Sequence, residues 1–339
     1  MPSTPPLSQA AQDLHREAFV ADLHNDLLLT TRLTGWRWGR RHRRNPLPGA
    51  ALFGQVDLPR LSEGGVDCLC LGVVTAPVPL LGGPHAAQWA LDRMNREAAV
   101  APHRIVVTRS VARARRAKEK GKLVCMAGIE GAHCLNEGEP EPLEAWRDQG
   151  LVYLGLVHLG GGRVGCAQRP GGTVRERGLT PWGVELVREA GRLGLLVDVA
   201  HLNPAGLFQV CRESKLPVLC SHGCMQAVHP SWRAIDDEQA LAVARTGGLV
   251  GIVFATSYIG GRSIEAVVAQ LSHLRSVVGA DHCAIGSDWE GWVTYPRGLE
   301  GAEGLPRLTE ALLKAGWAEC DVAAALGENF LRVLGELGE

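Results

Sequence analysis

The sequence contains no run approaching the roughly 18 apolar residues needed to span a bilayer, and its opening MPSTPPLSQAAQDLHREAF has no apolar segment of the secretory type. Nor does the terminal LRVLGELGE form a lipid-anchor signal. A cytoplasmic protein without membrane attachment is therefore expected. Ten cysteines are present, but no CxxC pair. Most lie in apolar runs such as CLCLGVV and PVLCSH, where a free thiol behaves as a small hydrophobe, so neither a zinc-thiolate site nor a disulfide framework is expected. Charge of one sign is also lacking. A net charge of -1 creates no field to gather nucleic acid or an anionic membrane. What is there is ordinary globular material, 339 residues with 46% hydrophobic and 21% charged side chains, enough for a large core. No repeat, linker or low-complexity tract divides it, so residues 1–339 read as one domain.

Short apolar, β-branched runs bounded by turn residues read as strands at FVADLH (19–24), CLCLGVV (68–74), LVCMAGIE (123–130) and LVYLGLVH (151–158). Four more follow at GLLVDVAH (194–201), PVLCSH (217–222), GLVGIVFATS (248–257) and HCAIGSD (282–288). Amphipathic segments separate most of them. PWGVELVREAGRL is one, with Thr180 as N-cap and Pro181 in the first helical position. Strands alternating with helices imply parallel pairing, and eight such units point to an α/β fold of the (β/α)8 TIM-barrel type. An open doubly wound sheet is the alternative, although no GxGxxG opens a helix after any strand. The basic, aromatic run GWRWGRRHRRNPLPG between the first two strands reads as a solvated loop over the active-site face, or else as a nucleic-acid patch. RSVARARRAKEKGK reads as an exposed helix surface.

Six of the eight runs end in a group able to bind metal or move protons: His24 with Asp26, Glu130, His158, His201, His222 and Asp288. In a parallel barrel all strand C-termini lie on one face, so these side chains are expected to converge. A histidine after a strand can also simply cap a turn, but six coincidences are harder to explain that way. The remaining histidines read as surface or supporting residues, with His133 and His229 nearest the candidates in sequence. Imidazoles and carboxylates without thiolates suit zinc or a similar divalent ion. Five ligands, His24, Asp26, Glu130, His201 and His222, could serve a pair of ions if Glu130 is shared, leaving each an open position for water.

The set DLHNDLLL, GIEGAH, VDVAH, CSHGCMQAVHPSWR and IGSDWEG resembles the membrane (renal) dipeptidase family of zinc peptidases, family M19, from about Phe19 to the terminal GENFLRVLGE. The resemblance implies a metal-dependent hydrolase barrel holding two Zn2+ bridged by Glu130 and a hydroxide. His24, Asp26 and Glu130 would serve the first ion, and Glu130, His201 and His222 the second. By the same resemblance the hydroxide attacks a dipeptide's carbonyl and Asp288 moves the proton. His158 polarises the carbonyl and Arg233 binds the substrate carboxylate. Tyr258 is a further candidate for the pocket wall, or a packing residue, and Arg233 could instead be a surface partner of the acidic Asp236–Glu238 stretch. A homodimer acting on a small dipeptide or amide is implied as well, with L-Xaa-D-Xaa dipeptides among the substrates of relatives.

Three features depart from the family pattern: LGGGRVG after His158, Ala234 after Arg233, and Glu290 within WEG. They concern the pocket wall rather than the expected ligands. A hydrolase of another small amide or N-acyl amino acid on the same site, or a non-catalytic metal-binding barrel, are the alternatives. A phosphotriesterase-like site fits poorly, because the chain has no HxH and none of its five lysines closes a strand.

Overall fold

A computed structural model describes residues 6–44, 53–76, 78, 82–158, 160–170 and 174–338. Strand and helix alternate along it. The eight principal strands are β1 (Ala21–Asn25), β2 (Cys68–Val74), β3 (Leu123–Glu130), β4 (Leu151–Gly155), β5 (Leu196–Asp198), β6 (Val218–Met225), β7 (Leu249–Ile252) and β8 (Cys283–Ile285). Each pairs in parallel with the next in sequence, in the order of a (β/α)8 barrel. Between β8 and β1 the ring is closed just beyond the last strand. Asn25 pairs with Trp289, the Asp288 N–H donates to the His24 carbonyl at 3.0 Å, and the Asp26 N–H donates to the Trp289 carbonyl at 2.7 Å. This closure replaces the open-sheet alternative. Two short strands lie outside the ring: Ile105–Val107 pairs with β3 and Ala234–Ile235 with β6.

The strands are buried on both faces, which is why they read as nearly unbroken apolar runs. Leu23, Cys70, Met126 and Leu196 belong to an inner cluster that is joined by Phe330 and Leu334 of the C-terminal helix Asn329–Gly335. Their neighbours, such as Leu71, Cys125 and Val197, pack in a larger outer cluster with the helices. Helix starts follow local chemistry. The Thr180 hydroxyl and the Asn203 side chain accept from Gly183 and Gly206 N–H, each ahead of a proline in the first helical turn. Asp236 and Gln239 form a reciprocal capping box.

Strand ends differ from the expected ones where they matter most. β4 and β8 stop three residues before His158 and Asp288, and β5 three residues before His201. β6 continues past His222 to Met225, so that histidine lies within the strand. The run 248–257 ends as a strand at Ile252 and then opens the short helix Thr256–Ile259, which carries Tyr258. The register slips between Asp22 and Asn25 in β1 and between Cys220 and Gly223 in β6. Such bulges re-aim side chains, and these two bracket His24 and His222.

The basic run after β1 is not simply a solvated loop. Trp38 is 1% exposed and donates to the Thr31 hydroxyl at 3.0 Å. Arg41 pairs with Glu63, and Arg44 with Glu303. Those carboxylates occupy guanidinium groups that a nucleic-acid patch would present free. Residues 45–49 of the run lie outside the described residues. The second basic run forms the helix Val111–Glu119, with only Ala114 and Ala117 of its own residues buried. All ten cysteines are free thiols. Among the described residues no helix is long and apolar enough to cross a membrane.

β3 and β4 meet closely where Gly128 faces Tyr153. A Cβ at Gly128 would sit 1.8 Å from Tyr153 Cζ. Gly128→Ala is therefore expected to displace the ring and cost about 2 kcal/mol or more, read as a lower denaturation midpoint. An unchanged midpoint would contradict this packing.

Candidate functional site

Six side chains gather toward the C-terminal side of the barrel around one buried carboxylate, that of Glu130, the last residue of β3. Its Oε1 lies 2.8 Å from His201 Nε2, 3.5 Å from both His158 Nε2 and His222 Nε2, and 3.7 Å from His24 Nε2. Four imidazoles, from β1, β6 and the turns after β4 and β5, thus face one oxygen. His201 and His222 are themselves 2.9 Å apart through their Nε2 atoms, and His24 Nε2 is 3.6 Å from Asp26 Oδ1. Asp288 closes the group beside His24 and Asp26. His201 and Asp288 both have left-handed backbones, with φ of 66° and 60°. Non-glycine residues adopt that conformation at a cost, and such strain concentrates at functional sites.

The electrostatics describe a site short of positive charge. Burial alone would keep His24 neutral, but Glu130, Asp26 and Asp288 outweigh it and push the imidazole up to about 10. Burial and the neighbouring Glu130 raise the Asp26 carboxyl, and burial with Asp26 raises Asp288 well above the usual range. Although burial opposes it, Glu130 is held well below its ordinary value by the surrounding histidines. Burial keeps His201 and His222 neutral, with Arg233 and His24 adding to the effect. Among the described residues, the buried His24 Nε2, Asp26 Oδ1 and Glu130 Oε2 have no hydrogen-bond partner. Unsatisfied ligand atoms converging with excess carboxylate fit divalent cations, which would take the place of the imidazolium proton and hold the carboxylates ionised.

Behind the cluster, supporting residues orient the rings. Tyr153 donates to the Leu23 carbonyl at 3.1 Å, so its oxygen accepts from His24 Nδ1 at 2.9 Å, which turns Nε2 toward Glu130. Ser221 donates to Asp198 Oδ2 at 2.6 Å and lies 2.8 Å from His222 Nδ1. None of these three was legible as a site residue, because in sequence each is strand filling.

Arg233 is only 4% exposed, which excludes the surface pairing considered from sequence. Its guanidinium donates to Gln168 Oε1 at 2.8 Å and to the His222 carbonyl at 3.0 Å, with no carboxylate partner among the described residues. Tyr258 is half-buried and meets Trp232 edge-on at 5.5 Å. Burial raises its phenol, with Arg233 opposing and Asp288 adding to the shift. His133 is half-buried beside His158, and burial lowers its pKa. His229 packs against Gly260, outside the cluster. Glu290 points away from the ligands. Its carboxylate accepts from Gly54, Gln55 and Val56 N–H at 3.1, 2.8 and 2.9 Å, tying that connection to the end of β8. Burial pushes it up to about 7 against those bonds.

The same architecture occurs in solved structures. A metallo peptidase from Rhodobacter sphaeroides, liganded with a phosphinate mimic of the dipeptide L-Ala-D-Ala, is 28% identical with a TM-score of 0.81, over 94% of this chain and 99% of that one. A dipeptidase described as a metallo peptidase of family M19 is 29% identical with a TM-score of 0.80, over 94% and 98%. An amidohydrolase from Pseudomonas aeruginosa shares the fold, with a TM-score of 0.80 at 24% identity over 97% and 99%. The family model described as membrane dipeptidase, peptidase family M19, matches residues 8–339. With nearly its whole length matched, the chain belongs to the membrane dipeptidase family of metallopeptidases.

Proposed function

We propose that the protein is a two-zinc dipeptidase acting at the Glu130 cluster. The observation that carries this reading is the convergence of four imidazole nitrogens on Glu130 Oε1, with Asp26 and Asp288 beside them. His24, Asp26 and Glu130 would hold one ion, and Glu130, His201 and His222 the other. Two zinc ions held there would supply Lewis acidity, lowering the pKa of a water toward neutrality and favouring attack on a peptide carbonyl.

The chain's own residues do the rest. The Asp288 carboxylate accepts the proton of the attacking water and returns it to the leaving amine. His158 donates an N–H to the oxygen that gains charge at the attacked carbonyl. Arg233, buried and without a carboxylate partner among the described residues, takes the C-terminal carboxylate of the substrate. Tyr258 would line the wall of that pocket. The ligand of the Rhodobacter sphaeroides relative supports dipeptides of L-Xaa-D-Xaa type as substrates. A cytoplasmic location and a homodimer belong to the same reading.

Purified protein is expected to carry about two zinc ions per chain. Glu130→Gln should drop that content to about one or none while the chain stays folded, since the shared ligand is lost. Asp288→Asn should retain both ions and lose roughly a hundredfold or more in kcat. Arg233→Ala should raise KM about ten- to a hundredfold for free dipeptides and much less for dipeptide amides. Metal analysis reads the zinc contents, and steady-state kinetics on a panel of L-Xaa-D-Xaa and L-Xaa-L-Xaa dipeptides, their amides and N-acyl amino acids reads the kcat and KM changes. Zinc-loaded protein that cleaves N-acyl amino acids but no dipeptide would replace this function with that one.

A further inference from the structure

Two buried Asp–Ser pairs of the same geometry staple neighbouring strands beneath the cluster. In the first, Asp198 of β5 accepts the Ser221 N–H at 2.8 Å and the Ala200 N–H at 3.0 Å on Oδ1, and the Ser221 hydroxyl at 2.6 Å on Oδ2. In the second, Asp22 of β1 accepts the Ser287 N–H at 2.8 Å on Oδ1 and the Ser287 hydroxyl at 2.6 Å on Oδ2. All four residues are 0–1% exposed. The pairs differ in what meets the serine oxygen. On Ser221 it is His222 Nδ1 at 2.8 Å, whereas on Ser287 it is the Trp289 N–H at 3.1 Å, with the His24 carbonyl 3.3 Å away.

We propose that Asp198 and Ser221 are positioning residues that lock the His222 ring proton on Nδ1, leaving Nε2 as the metal-binding lone pair. This rests on the two-zinc reading of the site. The direction of the chain follows from its end. Two N–H groups and a hydroxyl point at the Asp198 carboxylate, so it accepts throughout and Ser221 must donate to it. The remaining lone pairs of the Ser221 oxygen face His222 Nδ1, which must then be the donor. A fixed tautomer of this kind raises ligand affinity without touching the metal.

Asp198→Asn reverses the chain. The amide oxygen of the new side chain stays against the two backbone donors, its NH2 faces the Ser221 oxygen, and the Ser221 proton turns to His222 Nδ1. The imidazole then carries its proton on Nε2, where the ion should bind. Asp22→Asn makes the same exchange harmlessly, because the Ser287 proton can turn to the His24 carbonyl. Stapling and positioning are therefore separable.

The test is zinc affinity of the full chain by chelator competition, with folding checked by circular dichroism. Asp198→Asn is expected to weaken one of the two ions by about ten- to a hundredfold and to leave the other unchanged. Asp22→Asn should bind both as wild type does. Adding Ser221→Ala to Asp198→Asn should restore part of the lost affinity by removing the misdirected proton, a rescue that a merely structural role would not give. Wild-type affinity in Asp198→Asn, equal loss in Asp22→Asn, or no rescue in the double variant would each overturn the proposal. Should Asp198→Asn not fold, ring-nitrogen NMR of the zinc-loaded wild type decides: a protected Nδ1–H on His222 is expected, and its absence overturns the relay. Wild-type protein that takes up no zinc would sink the two-zinc reading instead.

Discussion

The organising constraint is a carboxylate that must stay ionised out of water. Glu130 is 4% exposed at the end of a strand that is buried along its whole length. An isolated charge there would cost several kcal/mol of desolvation, and such groups persist only when paired or when they bind metal. The chain brings four imidazoles to one oxygen of that group, each delivered by a different strand or the turn after it. The β1 and β6 bulges and the left-handed turns at His201 and Asp288 all serve this convergence. A barrel is well suited to it, because its parallel strands end on one face and its packed interior leaves the backbone little freedom to relax.

Support then spreads outward by hydrogen bonds rather than by added charge. The Tyr153 hydroxyl orients His24, and its ring rests on Gly128. Asp198 and Asp22 each hold a serine that immediately precedes a cluster residue, His222 in one case and Asp288 in the other. At the rim, Glu290 fastens residues 54–56 to the turn after β8, and Gln168 holds one arm of Arg233. Glu290 and Gln168 sit outside the cluster and tie neighbouring segments to it.

Much of this was legible in the sequence. Strands buried on both faces must be apolar throughout, so all eight could be found, and the polar residues that close them stood out by contrast. Strand ends were less legible. Nothing in the period-two pattern shows that β5 stops at Asp198 while His201 lies beyond it in a left-handed turn, or that a register break lets β6 run through His222. Supporting residues were missed for a related reason. Tyr153, Ser221 and Asp198 look like strand filling until the neighbouring strand is known. The run around Trp38 misled in the opposite direction, since its local basic composition hid a tryptophan that belongs to the core and arginines with partners far along the chain.

The proposed pairing of two ions across Glu130 is most directly tested by anomalous diffraction at the zinc edge from crystals grown with zinc. Two peaks are expected, one on each side of the Glu130 carboxylate and roughly 3.5 to 4 Å apart, the first against His24 and Asp26 and the second against His201 and His222. A single peak, or peaks away from Glu130, would contradict it.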